Sequence, residues 1–214
     1  METRKVDVAI IGAGTAGMSA YRAALEHTDS VLVIEAAQYG TTCARVGCMP
    51  SKLLIAAAEI NHQLGEAARF GIDVAGSRVD GARVMQRVKA ERDRFVGFVE
   101  AAVEGWPAEH KLMGKAVFTG PNELLVDGKI RVQAARVVVA VGSRPAIPAP
   151  WYELGDRLLI NDDVFSWDTL PESLSVVGIV VIGLELQLTL SRLGFRTQLF
   201  GVFNRFGPIS DPFV

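Results

Sequence analysis

Hydrophobic residues open the chain as a short β-branched block at residues 6–11, and a glycine-rich hexapeptide, Gly12-Ala13-Gly14-Thr15-Ala16-Gly17, closes it. The block reads as a strand. Residues 18–25 are alanine-rich with helical spacing, and residues 30–34 form a second β-branched block that ends at Glu35. Helical periodicity returns after Pro50 with Leu53, Leu54 and Ile55, and runs past Glu59 and His62 towards Gly71. A longer amphipathic stretch at 81–103 sets an apolar stripe against Arg, Lys and Glu, the pattern of a helix with one solvated face. Short blocks at 111–119, 123–126 and 129–132 predict strands, with Asp127-Gly128 as a hairpin turn.

Residues 136–141 form an apolar run that predicts a strand buried on both faces, as in a parallel sheet. It meets Gly142-Ser143-Arg144-Pro145, and the Pro-rich segment to Pro150, followed by Trp151, predicts a boundary. Beyond a connector at 152–170 the pattern starts again, with a strand at 174–177, a turn Gly178-Ile179-Val180-Val181-Ile182-Gly183, a helix closed by Gly194 and a strand at 196–200. The expected fold class is α/β, a Rossmann-like domain over residues 1–150 followed by the start of a second Rossmann-like domain over 151–214.

The first repeat carries a dinucleotide fingerprint in full. Gly12 makes the turn, Gly14 lets the backbone approach a pyrophosphate, and Gly17 lets helix pack on strand. The helix start, with Thr15 and Ala16, turns its N–H groups towards the phosphates, and Glu35 is placed to bind a ribose. The second repeat keeps Gly178 and Gly183 but has Val180 where Gly14 stands and Gly201 where Glu35 stands. A β-branched side chain at 180 occupies space a pyrophosphate needs, and the ribose-binding carboxylate is missing.

The chain has two cysteines, Cys43 and Cys48, within Gly-Thr-Thr-Cys-Ala-Arg-Val-Gly-Cys-Met-Pro-Ser-Lys at 40–52. Proline is favoured at the first helical position, so Pro50 predicts a helix start beside Cys48, where the partial positive charge favours an anionic sulfur. Two small residues packed in a core would be the plain alternative. Their local pairing around Gly47, at the start of a helix, favours a redox-active pair.

The 22 basic and 24 acidic side chains give a net charge of −2 with no basic run, which argues against a nucleic-acid partner. The apolar runs are too short to cross a bilayer, and the charged N-terminal residues lead straight into a strand, so a soluble, cytoplasmic protein without a membrane partner is expected. In such a reducing setting a disulfide is better suited to catalysis than to structure. His62 and His110 lack metal-ligand spacing and are assigned surface or structural roles, with no metal site expected.

Together these motifs resemble the flavoprotein disulfide reductases, class I pyridine nucleotide-disulfide oxidoreductases, and within them the dihydrolipoyl dehydrogenase family. The residues that carry the resemblance are Cys43, Cys48, Pro50, Ser51 and Lys52, the fingerprint Gly12, Gly14, Gly17 and Glu35, the segment Val139-Ala140-Val141-Gly142-Ser143, and residues 181–185. The likeness covers the whole chain as the N-terminal part of a longer pattern. It implies FAD along the first domain, with its adenine ribose on Glu35, further contacts at Thr42 and at Ala140, Val141, Gly142 and Ser143, and its isoalloxazine beside Cys48. Cys43 is then the outer thiol that exchanges with substrate, Cys48 the thiolate facing the flavin, and Lys52 lies near the flavin and pairs with Glu185.

The implied reaction oxidises a dithiol, small or carried on a lipoyl domain, through a Cys43–Cys48 disulfide and FAD to NAD. The implied NAD site includes Gly178 and Gly183, altered at Val180 and Gly201. The family's general base is a C-terminal histidine of the partner subunit of a homodimer, and no histidine here takes that role. The chain is therefore expected to act as an incomplete piece without full turnover. The alternatives are another disulfide reductase of mercuric or glutathione type, for which Ser51 favours the lipoamide or mercuric branch, and a non-catalytic FAD-binding module. Gly201 followed by Arg205 would suit NADP.

Overall fold

The first apolar block extends backwards to give β1 (Glu2–Ile11), a central strand of a six-stranded sheet, in a computed structural model that describes residues 2–201. Arg205 lies outside the described residues. The described residues divide into two compact units, one built from the residues up to Arg45 and from Arg94–Ala146, the other from Val46–Asp93 and the residues from Ile147 onward. The chain thus passes between them in the cysteine stretch, within a long helix and in the Pro-rich segment.

In the first unit β1 is followed by α1 (Thr15–Leu25) and β2 (Val31–Glu35), then α2 (Thr42–Val46), whose last residue falls in the second unit. After the helix α4 (Gly81–Glu104), shared between units, come β3 (Lys111–Met113), β4 (Ala116–Gly120), β5 (Glu123–Val126) and β6 (Ile130–Val139). The sheet order is β3-β2-β1-β6-β5-β4. The four strands from β3 to β6 are parallel and the β4–β5–β6 edge is antiparallel. Parallel β1–β2–β3 pairing around crossover helices is the doubly wound α/β arrangement expected from the alternation of elements.

Two strand expectations are corrected. The single block at 111–119 is two strands, because β3 pairs with β2 while β4 pairs with β5 on the opposite edge. The separate blocks at 129–132 and 136–141 are one strand, β6, which pairs with β1 from Glu2–Ile130 to Ile11–Val139. Its end is not covered on both faces, since Val139 is 61% exposed and Val141 lies beyond the ladder. The core on one side of β1 holds Ala9, Leu32, Ile34, Leu124 and Val132, and on the other Ile10, Tyr21, Val31 and Val33. Each fully buried aliphatic side chain of this kind contributes about 1.5–3 kcal/mol relative to an exposed one.

In the second unit α3 (Cys48–Glu66) starts two residues before Pro50, which therefore occupies the third helical position rather than the first. Proline is tolerated there because the first-turn N–H groups have no intrahelical acceptor. After the connector come β7 (Ser173–Val177), α5 (Val181–Arg192) and β8 (Arg196–Phe200), with β7 and β8 pairing in parallel. Leu54 and Ala58 of α3, Met85 and Val88 of α4, Phe165, and Leu186, Leu190 and Leu193 form one core. Two ion pairs, Lys52–Glu185 and Glu59–Arg192, join residues 133 apart in each case, so α3 and α5 run in the same direction. Asn61 adds a hydrogen bond from Nδ2 to the Arg192 carbonyl at 2.7 Å.

Candidate functional site

In the first unit the glycine-rich turn is built from close contacts that admit no side chain. Gly12 has φ +104°, and a Cβ there would lie 2.4 Å from the Ala140 carbonyl oxygen; a Cβ on Gly17 would lie 1.8 Å from the Gly12 oxygen. The turn is fixed on both sides by strand bonds, from the Gly12 N–H to Ile34 O and from the Ala140 N–H to Ile11 O, both 2.8 Å. Gly14 differs from both: a Cβ there would meet nothing within 4 Å. That open space sits at the N-terminus of α1, where Thr15 and Ala16 are exposed. The Glu35 carboxylate accepts the Ala13 N–H at 2.7 Å and the Ala37 N–H at 2.9 Å, which holds it at the strand end beside the turn. The structure so collects Gly12, Gly14, Gly17, Glu35 and Ala140 around one strand end, continued by the exposed residues Val141, Gly142 and Ser143.

In the second unit Gly178 and Gly183 rebuild the same turn. Gly178 has φ +122°, a Cβ on Gly183 would lie 1.9 Å from the Gly178 oxygen, and the Gly178 N–H bonds Phe200 O at 2.8 Å. These bonds align Ile34 with Phe200 and hence Glu35 with Gly201. Val180, in Gly14's place, is the N-cap of α5 and 57% exposed.

Cys48 is the exposed first residue of α3, and its carbonyl accepts the Ser51 hydroxyl at 3.1 Å. One turn along, the Lys52 ammonium bonds the Glu185 carboxylate at 2.7 Å. Burial alone would raise the Glu185 carboxyl, but hydrogen bonds from Lys52 and Ser51 and the Lys52 charge outweigh it, and the group is held below the usual carboxylate range. Lys52 is the more exposed partner, so its charge is screened and the pair is worth no more than about 1 kcal/mol. Cys43 and Thr42 lie on α2, Cys43 half-buried and Thr42 exposed.

Three neighbours make contacts that the sequence does not show. Thr41, with φ +46°, accepts the Ala44 N–H on its side-chain oxygen and so starts α2; the Thr-Thr pair before Cys43 was its only signal. Ile179 packs against Gly201. Ser51 faces Glu185 as well as the Cys48 carbonyl. His110 is structural, buried with its Nδ1 2.8 Å from the Tyr21 hydroxyl, while Trp106 stacks on Tyr21. Burial, and then the Glu109 charge, raise the Tyr21 hydroxyl above its ordinary value.

Comparison with known proteins finds the pyridine nucleotide-disulphide oxidoreductase family model over residues 6–214. The chain belongs to this family. Among its relatives, a dihydrolipoyl dehydrogenase of Halobacterium salinarum is 32% identical over 94% of the chain and 44% of the relative. A glutathione reductase of Burkholderia cepacia is 32% identical over 83% and 39%, and a mercuric reductase of Shigella flexneri 34% over 90% and 35%. The chain thus spans less than half the length of these relatives. The HOCl-induced flavoprotein disulfide reductase RclA of Escherichia coli, as a Cu(II) complex of its C43S mutant, matches with a TM-score of 0.78 at 20% identity, over 99% of this chain and 45% of that one. The fold is therefore that of the flavoprotein disulfide reductases, a family that depends on FAD. The first turn fits such a group: open space at Gly14, a helix N-terminus behind it, and a carboxylate at the strand end. Among the described residues no helix is long and apolar enough to cross a membrane.

Proposed function

We propose that this chain carries the flavin-binding and dithiol-exchange part of a disulfide oxidoreductase of the dihydrolipoyl dehydrogenase kind. The observation that carries the reading is the first turn of α3, where Cys48, Ser51 and Lys52 follow one another and Glu185 fixes the lysine. Gly12, Gly14, Thr15, Ala16, Gly17 and Glu35 would hold the adenosine diphosphate half of FAD, and Thr42 and residues 140–143 the rest. When bound, FAD supplies a two-electron acceptor for a thiol pair.

Cys43 is the thiol that exchanges with substrate. A substrate dithiolate attacks the Cys43 sulfur of a Cys43–Cys48 disulfide, the sulfur–sulfur bond breaks, and Cys48 leaves as thiolate. The second substrate thiolate then attacks the substrate's own sulfur in the mixed disulfide, the bond to Cys43 breaks, and Cys43 leaves as thiolate, so that oxidised substrate is released and both cysteines are reduced. Lys52, held in place by Glu185, brings a positive charge one turn from Cys48.

The test is a spectrum. Purified chain retains a yellow flavin, a dithiol such as dihydrolipoamide brings up a long-wavelength absorption band, and Cys48→Ser removes that band while keeping the flavin. Flavin without the band in the unmodified chain would support a binding module instead. Comparing dihydrolipoamide, glutathione and mercuric ion as partners separates the lipoamide reading from its two rivals, which the relatives' similar identities keep open.

A further inference from the structure

The second glycine turn repeats the backbone of the first and changes what fills it. Val180 has φ −95° and ψ 178°, against −75° and −171° for Gly14. Both are extended, so valine sits there without strain. The difference is one of volume. At Gly14 the space a Cβ would enter is open, whereas Val180 places a branched side chain into the corresponding space, and Val181 and Ile182 beside it are 57% and 54% exposed.

The strand end is closed as well. In the first turn Ala13 is small, and its N–H meets the Glu35 carboxylate. Ile179 stands in the place of Ala13, and two of its side-chain carbons would lie 2.6 Å from a Cβ on Gly201. No residue larger than glycine fits at 201 while Ile179 holds that position. The residues present therefore do not fit the nicotinamide dinucleotide that the family name implies.

We infer that Ile179 and Val180 form a two-part apolar plug that closes this chain's second glycine turn to the pyrophosphate and adenosine ribose of NAD and NADP. Removing one half is not enough. Trimming Val180 leaves the ribose position filled by Ile179 and without a carboxylate, and a carboxylate introduced at 201 collides with Ile179. Opening the turn takes Ile179→Ala, Val180→Gly and Gly201→Glu together.

Equilibrium dialysis of the purified 214-residue chain against NADH and NADPH, followed by nicotinamide fluorescence, tests this without any turnover. The unmodified chain and Val180→Gly show no saturable binding up to about 1 mM, and the triple variant binds NADH at least about tenfold more tightly than either, a gain of about 1.4 kcal/mol. Far-UV circular dichroism confirms that the triple variant keeps its helices. Saturable NADH binding by the unmodified chain overturns the inference, and that measurement requires no variant to fold. A folded triple variant that gains nothing overturns it equally, because the closure would then not lie in these side chains.

Discussion

The segments at 11–35 and 177–201 share a backbone and differ in what it can hold. In both, a glycine with positive φ makes the turn and a second glycine lies under 2 Å, measured from its would-be Cβ, from the first one's carbonyl oxygen. In both, the turn N–H bonds the next strand at 2.8 Å. Only in the first does the middle position stay empty and the strand end carry a carboxylate. Two glycines are thus enough to build the turn, while the open space and the carboxylate come from the third glycine and the residue at the end of the second strand.

The largest expected effect tests the shared part. Gly17→Ala and Gly183→Ala each push a methyl into a backbone oxygen and should destabilise by on the order of 3 kcal/mol, equally in the two units. Urea unfolding followed by circular dichroism reads this, and a Gly183→Ala variant as stable as the parent would show that the second turn is looser than the first.

The next effect tests the difference. Gly14→Val fills open space at an extended residue, so the fold should survive while FAD affinity falls about 100-fold, or about 2.7 kcal/mol. Flavin retention after gel filtration is the measurement, and undiminished flavin would mean that the open space at Gly14 is not where the pyrophosphate lies. Glu35→Ala should cost less, about tenfold in FAD affinity, because it removes one ribose partner together with the carboxylate that accepts the Ala13 and Ala37 N–H groups.

The smallest effect lies beside the second turn. Glu185→Gln should lower stability by about 0.5–1 kcal/mol at neutral pH, since the Lys52 pair is partly exposed. The folded chain holds the Glu185 carboxyl below its unfolded value, so its contribution is complete above the unfolded value and is lost as pH falls through the folded one. Thermal melts of parent and variant should therefore converge in acid; a gap that widens there would refute the pairing as a stabiliser.

Much of the fold could be read from local pattern because each element is bounded by its own residues. The extent of β8, the long helix at 81–104 and the Asp127-Gly128 turn, both of whose residues have positive φ, all follow from periodicity and turn chemistry. The misread strands failed where pairing rather than pattern decides. β6 continues through Gln133, Ala134 and Ala135 because β1 pairs along its whole length, and the 111–119 block splits because its halves have partners on opposite edges of the sheet. Cys48 stands at the start of α3 as expected, but Pro50 takes the third rather than the first helical position, because proline is compatible with any position in the first turn.

By itself the sequence determined the α/β alternation, the two glycine turns, and the departures at Val180 and Gly201, since each depends on residue type and short spacing. Tertiary structure alone decided that Ile179 fills the space at Gly201, that Ser51 joins Lys52 in holding Glu185 ionised, and that α3 and α5 lie side by side in the same direction. These depend on which side chains from distant parts of the chain meet in space, and no local pattern carries that information.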